Sequence, residues 1–164
     1  MTDINDLNDI VFVTDRTLAD EARAELLAKK WAMKTITEAE KSEWFGEMKG
    51  TYGVLTLNRV GKIIKTVADL LNTAGANVSV TAKTDWSEAD YVEDGSFDAY
   101  LADIAEIRGA LAAMDPLPNV PGDMVGLTTT DANAIEKILE GISKMIPKMY
   151  AAWFFSGDLY AGEV

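Results

Sequence analysis

The chain has no cysteine and no histidine. Without cysteine there is no disulfide, no thiolate nucleophile and no Cys-ligated zinc. Without histidine the commonest general base and the commonest transition-metal ligand are missing. Together the two absences exclude most familiar hydrolase and metalloenzyme centres. Positive charge is also short: 15 Lys and Arg face 27 Asp and Glu, a net charge of −12. That balance argues against nucleic acid or an anionic membrane surface as the main partner. Long apolar runs are missing too, since Ile10 to Val13 and Tyr150 to Phe155 fall far short of the roughly 20 residues that span a bilayer. The N-terminal residues carry neither basic charge nor an apolar run of signal-peptide length, so a soluble protein without an export signal is expected.

What is present is the composition of a folded domain. The hydrophobic share is 48% and the charged share 26%, unlike a disordered chain, which cannot bury enough apolar surface to offset its ordering entropy. A domain of this size typically buries roughly 70% of the surface its unfolded chain exposes. Helix signals begin at Thr17, an N-cap followed by Asp20 and Glu21, and predict a helix over about 14–31 with Leu18, Ala22, Leu26, Leu27 and Ala28 as its apolar side. Thr37 with Glu40 is a capping box opening a shorter helix to Lys49. Gly50 is placed to end that helix in the left-handed conformation.

Three longer helices carry one pattern. Leu57, Val60, Ile64, Val67 and Leu71 alternate steps of three and four, and so do Phe97, Tyr100, Ile104, Ile107, Leu111 and Met114, and Ile135, Ile138, Ile142, Met145 and Met149. These are heptad seams. They predict an intramolecular bundle, with short connections favouring antiparallel neighbours; an oligomeric coiled coil is the alternative. Ile10 to Val13 and Val78 to Ala82 read as extended and could pair as a small two-stranded ribbon, with each other or with another chain. Three of four prolines fall between Asp115 and Gly122 and make a stiff loop, which could also be read as a polyproline ligand. Pro147, the fourth, should kink or break the last helix.

Chemistry is sparse. No glycine-rich phosphate loop, Gly-x-Ser-x-Gly elbow or kinase-like set occurs. Carboxylates are plentiful, but no pair is marked out for acid–base work. Asp90 to Asp98 is the best cation candidate, yet Val92 stands where a calcium loop needs an oxygen ligand. No catalytic residue, cofactor or metal ligand is therefore assigned. The aromatics are more informative: besides Trp31, Trp44 and Trp86 there is a run Trp153, Phe154, Phe155 and then Tyr160. Three consecutive large aromatics cannot share one helix face, so either a neighbouring element covers one of them or they form an interface.

Several segments carry a family resemblance. They are Val13 to Thr17, Trp44 to Gly50 leading to Leu57-Asn58-Arg59-Val60, the turn Lys83-Thr84-Asp85-Trp86, Gly126 to Thr128 with Asp131 to Glu136, and Trp153 to Glu163. On these the chain resembles small proteins encoded by phages and prophages of Gram-positive bacteria, commonly within or beside structural and tail genes. The resemblance implies a non-enzymatic virion or tail-associated protein, located in the particle or in the bacterial cytoplasm before assembly. Its implied partners are further copies of itself, as a homo-oligomer, or other phage structural proteins, with no nucleic acid and no membrane. A host-surface carbohydrate-binding module using exposed Trp residues is the alternative. The expected architecture is mainly α in one domain: an arm over 1–13, N-terminal helices over 14–50, a three-helix bundle over 56–155 and a tail over 156–164.

Overall fold

The computed structural model describes residues 3–92, 96–111 and 116–158, and within these all side chains but those of 91, 92, 96 and 153–158. The protein is mainly helical. A 3-10 turn at Ile4–Asp9 is followed by α1 (Leu18–Ala32), α2 (Glu38–Trp44), α3 (Val54–Thr73), a second 3-10 turn at Glu88–Val92, α4 (Ser96–Ala110) and α5 (Thr129–Asp158). One local device starts most of these elements. Asp3 with Asp6, Thr17 with Asp20 and Thr37 with Glu40 form reciprocal capping boxes, and Thr128 with Asp131 makes the same pair of bonds ahead of α5. Each occupies two amides that a helix start would otherwise leave unpaired. α3 ends where Gly75 takes φ +88° and the Ala76 amide reaches back to the Leu71 carbonyl, a stop that needs a residue without a Cβ.

The expected seams are the core, except that Met114 lies outside the described residues. Leu57, Val60, Ile64, Val67 and Leu71 of α3 are fully buried, as are Ile104 and Ile107 of α4 and Ile135, Ile138 and Ile142 of α5. On α5 the burial then continues through Leu139 and Ile146, while Met145 and Met149 pack at its margin. α5 passes Pro147 without a break, held by Ile142 and Ile146 before it and by Met149 and Tyr150 after it.

The helix directions differ from expectation. Arg59 near the start of α3 pairs with Glu136 near the start of α5, and Tyr150 late in α5 donates to the Leu70 carbonyl late in α3. These two helices run the same way. α4 follows them, because Tyr100 in its first half meets Tyr52 just ahead of α3. The connections are long, and each returns along the helices as extended chain. Residues 76–87 run back past Asn72, Asp103 and Asn58 between α3 and α4. Residues 116–128 return between α4 and α5, starting where Arg108 holds the Pro118 carbonyl and Leu117 abuts Gly141. The N-terminal arm occupies the third groove, between α3 and α5.

The two extended segments therefore do not pair; among the described residues there is no β-strand. Helix side chains take the place of a partner strand. Asn72 both accepts from the Val78 amide (2.7 Å) and donates to its carbonyl (2.8 Å). Asn58 does the same for Trp86, and Asn133 for Arg16. An Asn amide offers one donor and one acceptor in the geometry of a peptide group, so it can pair main chain as a strand would. Gly61 lets the return segment come close: a Cβ there would lie 2.2 Å from the Lys83 carbonyl oxygen.

α1 and α2 form an excursion between the first extended segment and α3. Their own core is Ala24, Leu27 and Met48, with Trp44 at its edge. Three expectations for this region are corrected. α2 ends at Trp44 rather than Lys49. Gly50 is not left-handed; its role is close contact, since a Cβ would lie 1.9 Å from the Asp20 carbonyl oxygen. On α1 the predicted apolar side is largely outward, with Leu18 76% and Leu26 44% exposed, while Ala24 and Leu27 face α2.

Candidate functional site

The place where chemistry would first be sought is a buried charge cluster at the starts of the long helices. Glu136 is fully buried on α5, next to the seam residue Ile135 and one turn before the buried Leu139. Its Oε1 accepts from Arg16 Nη2 (2.6 Å) and Arg59 Nη2 (2.8 Å). Its Oε2 accepts from Arg59 Nη1 (2.8 Å) and the Val13 amide (2.7 Å). Arg59 extends the cluster to Glu47 through Nε (2.6 Å) and to the Val11 carbonyl through Nη1 (2.7 Å). Burial works to lower the Arg59 pKa, but the hydrogen bonds it donates to Glu136 and Glu47 outweigh it and raise the pKa. Two arginines against two glutamates cancel, which makes the burial tolerable.

Arg16 is the less accessible of the two arginines, 6% exposed. It donates to the Val13 carbonyl as well as to Glu136, and its guanidinium lies 5.4 Å from the centre of the Tyr52 ring, within cation–π range. Its Nε is buried with no hydrogen-bond partner among the described residues. Tyr52 keeps part of its ring at the surface, while its hydroxyl meets that of Tyr100 at 2.9 Å. Burial pushes both hydroxyls above the ordinary tyrosine range, so both are protonated near neutrality.

This arrangement is a clamp. Both Glu136 oxygens accept two bonds each, leaving the carboxylate no orientation in which to take a proton from a substrate. The two tyrosine hydroxyls are held neutral and bonded to each other. What the cluster does is join the arm, the base of the excursion, α3 and α5 at one point. Arg16, Arg59, Glu136 and Asn133 had no assigned role in the sequence, although each lies in a segment that carries the family resemblance. A signal was present: Ala132, Glu136, Leu139, Ser143 and Ile146 step by four, three, four and three, placing an acid on a second buried stripe of α5.

The predicted contact residues are placed as follows. Trp153, Phe154 and Phe155 fall on the last turns of α5, but their side chains lie outside the described residues, as does Tyr160 altogether. Of the remaining tryptophans, Trp86 is core, 4% exposed and stacked on Phe97. Trp31 is 46% exposed with its ring edge-on to Phe45. Asp90, from the loop considered for calcium, is engaged by Ser87 and Lys83. Among the described residues no cluster of acids is placed to hold a metal, and no helix is long and apolar enough to cross a membrane.

The exposed apolar side chains gather elsewhere. Of the eight large hydrophobics that stand exposed among the described residues, Leu18, Leu26, Trp31, Met33 and Phe45 belong to the α1–α2 excursion. Compared with family models, curated proteins and solved structures, the chain matches none.

Proposed function

We propose that this chain is a non-enzymatic structural or interaction protein that acts through protein–protein contacts, of the virion- or tail-associated kind that its sequence resembles. The observation that carries the reading is the division of the polar and apolar groups. In the most buried charged cluster both oxygens of the central carboxylate, Glu136, are taken up by internal bonds, whereas large apolar side chains collect on an excursion whose own core is three residues. A surface of that composition is suited to bury against protein rather than to bind and turn over a small molecule.

The test is mass spectrometry of purified phage particles from a host that carries the gene, with the host cytoplasm analysed in parallel. The chain is expected in the particle fraction at several copies per particle. Its confinement to the cytoplasmic fraction at all stages of assembly would sink the virion reading. The carbohydrate alternative has less to rest on, because Trp86 is in the core and Trp31 presents only part of its ring; a glycan array is expected to give no binding.

A further inference from the structure

The outward side of α1 has a specific pattern. Leu18, Ala22, Leu26 and Met33 follow at steps of four, four and seven, which places them on one helix face. That face is opposite to Ala24 and Leu27, the residues that meet α2. Leu18 is 76% exposed, Leu26 44% and Met33 70%, so the stripe is uncovered over about 22 Å of helix at 1.5 Å per residue. A surface helix needs one apolar side. α1 has two, and the covered one is the smaller.

Charge indicates what covers the other. Along α1 the acids Asp20, Glu21 and Glu25 fall in the first half, where the one base among them, Arg23, is paired with Glu43 of α2, and Lys29 and Lys30 follow, with Lys34 just beyond the helix. Two such helices in antiparallel order bring the acidic half of each beside the basic half of the other; parallel order would bring like charges together. The same order sets Leu18 opposite Met33 of the other copy and Leu26 near its own equivalent, as a two-fold axis requires. The excursion is also where an acidic protein can best approach itself. Residues 17–50 carry seven acids and six bases, against −12 for the whole chain, so most of the repulsion between copies lies elsewhere.

We infer that a second copy of this chain docks on the outward face of α1, helix against helix in antiparallel order, making a two-fold dimer. The inference rests on the contact reading above and names one partner and one surface for it. A seam of this size is at the small end of interfaces, so the dimer forms and dissociates with concentration and weakens in salt, which screens the exposed charges.

Sedimentation velocity of the full chain over a range of concentrations tests this. Wild type is expected to pass from monomer to dimer, and Leu18→Glu/Leu26→Glu to remain monomeric with unchanged circular dichroism and with the thermal midpoint that wild type has at concentrations where it is monomeric, since both side chains are exposed. E21K/E25K and K29E/K34E are each expected to self-associate about tenfold more weakly, and an equal mixture of the two to restore association. Three results would overturn the inference: a monomer at every concentration, a dimer indifferent to the two leucine changes, or reversed variants that do not pair when mixed. A chain that is monomeric yet present in particles removes the self-docking and leaves the contact reading standing. A dimer that is absent from particles leaves the self-docking standing and removes the virion reading.

Discussion

At the scale of single residues, the stability of this protein depends on a few groups that hold segments distant in sequence. Glu136 contacts residues 77 and 120 positions away, and its removal would strand two guanidinium groups near the bottom of a groove. Breaking a buried ion pair from one side costs about 3–5 kcal/mol. Glu136→Ala is therefore expected to lose that much in urea denaturation, while Glu140→Ala, on an exposed i,i+4 pair with Lys144, loses less than about 1 kcal/mol. The glycines divide in the same way. Gly50→Ala and Gly61→Ala would force a Cβ against main-chain carbonyls and should cost at least about 1–3 kcal/mol. Gly109→Ala, on an open face of α4 with nothing nearby, should instead stabilise by roughly 0.5–1 kcal/mol. Thermal melts of the three variants distinguish these signs.

At the scale of elements, the capping boxes explain why the helices start where they do, and one of them has a pH dependence. Hydrogen bonding from Lys30 first, then from the Thr37 amide, lowers the Glu40 pKa from 4.5 to about 2. A carboxyl whose folded pKa lies below its unfolded one contributes stability that is complete above the unfolded value and is lost as pH falls toward the folded value. The α1–α2 excursion should thus weaken as pH drops from 4.5 to about 2. Chemical denaturation across that window is expected to show a steeper loss for wild type than for Glu40→Gln; equal slopes would count against this role. The cap at Thr17 and the box at Thr37 were legible from sequence because a cap and its N3 acid lie three residues apart, although α1 starts at Leu18 and not at the expected residue 14, since Thr17 is extended and ends the arm. The end of α2 was not, because it depends on Met48 turning into the small core with Ala24 and Leu27 and on Gly50 meeting Asp20.

At the scale of the whole molecule, three helices run in one direction, and the grooves between them are filled by three extended segments: the two connections and the N-terminal arm. Polar side chains from the helices pair the main chain of those segments. The excursion over α1 and α2 stands outside this arrangement, which is why its surface carries uncovered apolar residues. The aromatic ending remains a second contact surface by expectation. Phe154→Ser or Phe155→Ser should reduce particle incorporation while leaving the melting temperature unchanged; a large drop in melting temperature would return these residues to the core.

Sequence alone determined the helices, their caps and the faces that form the bundle core, because heptad steps and capping pairs act over three to four residues and carry their meaning locally. It also marked Asn58, Arg59, Asn133 and Glu136 as parts of conspicuous segments without saying what they hold. Only the tertiary structure decided the common direction of the helices, the clamp on Glu136 and which side of α1 faces inward. Those outcomes depend on which distant segment meets which. An apolar stripe records that a face is to be buried, and a charged side chain that it needs a partner, but neither records where in the chain that partner lies.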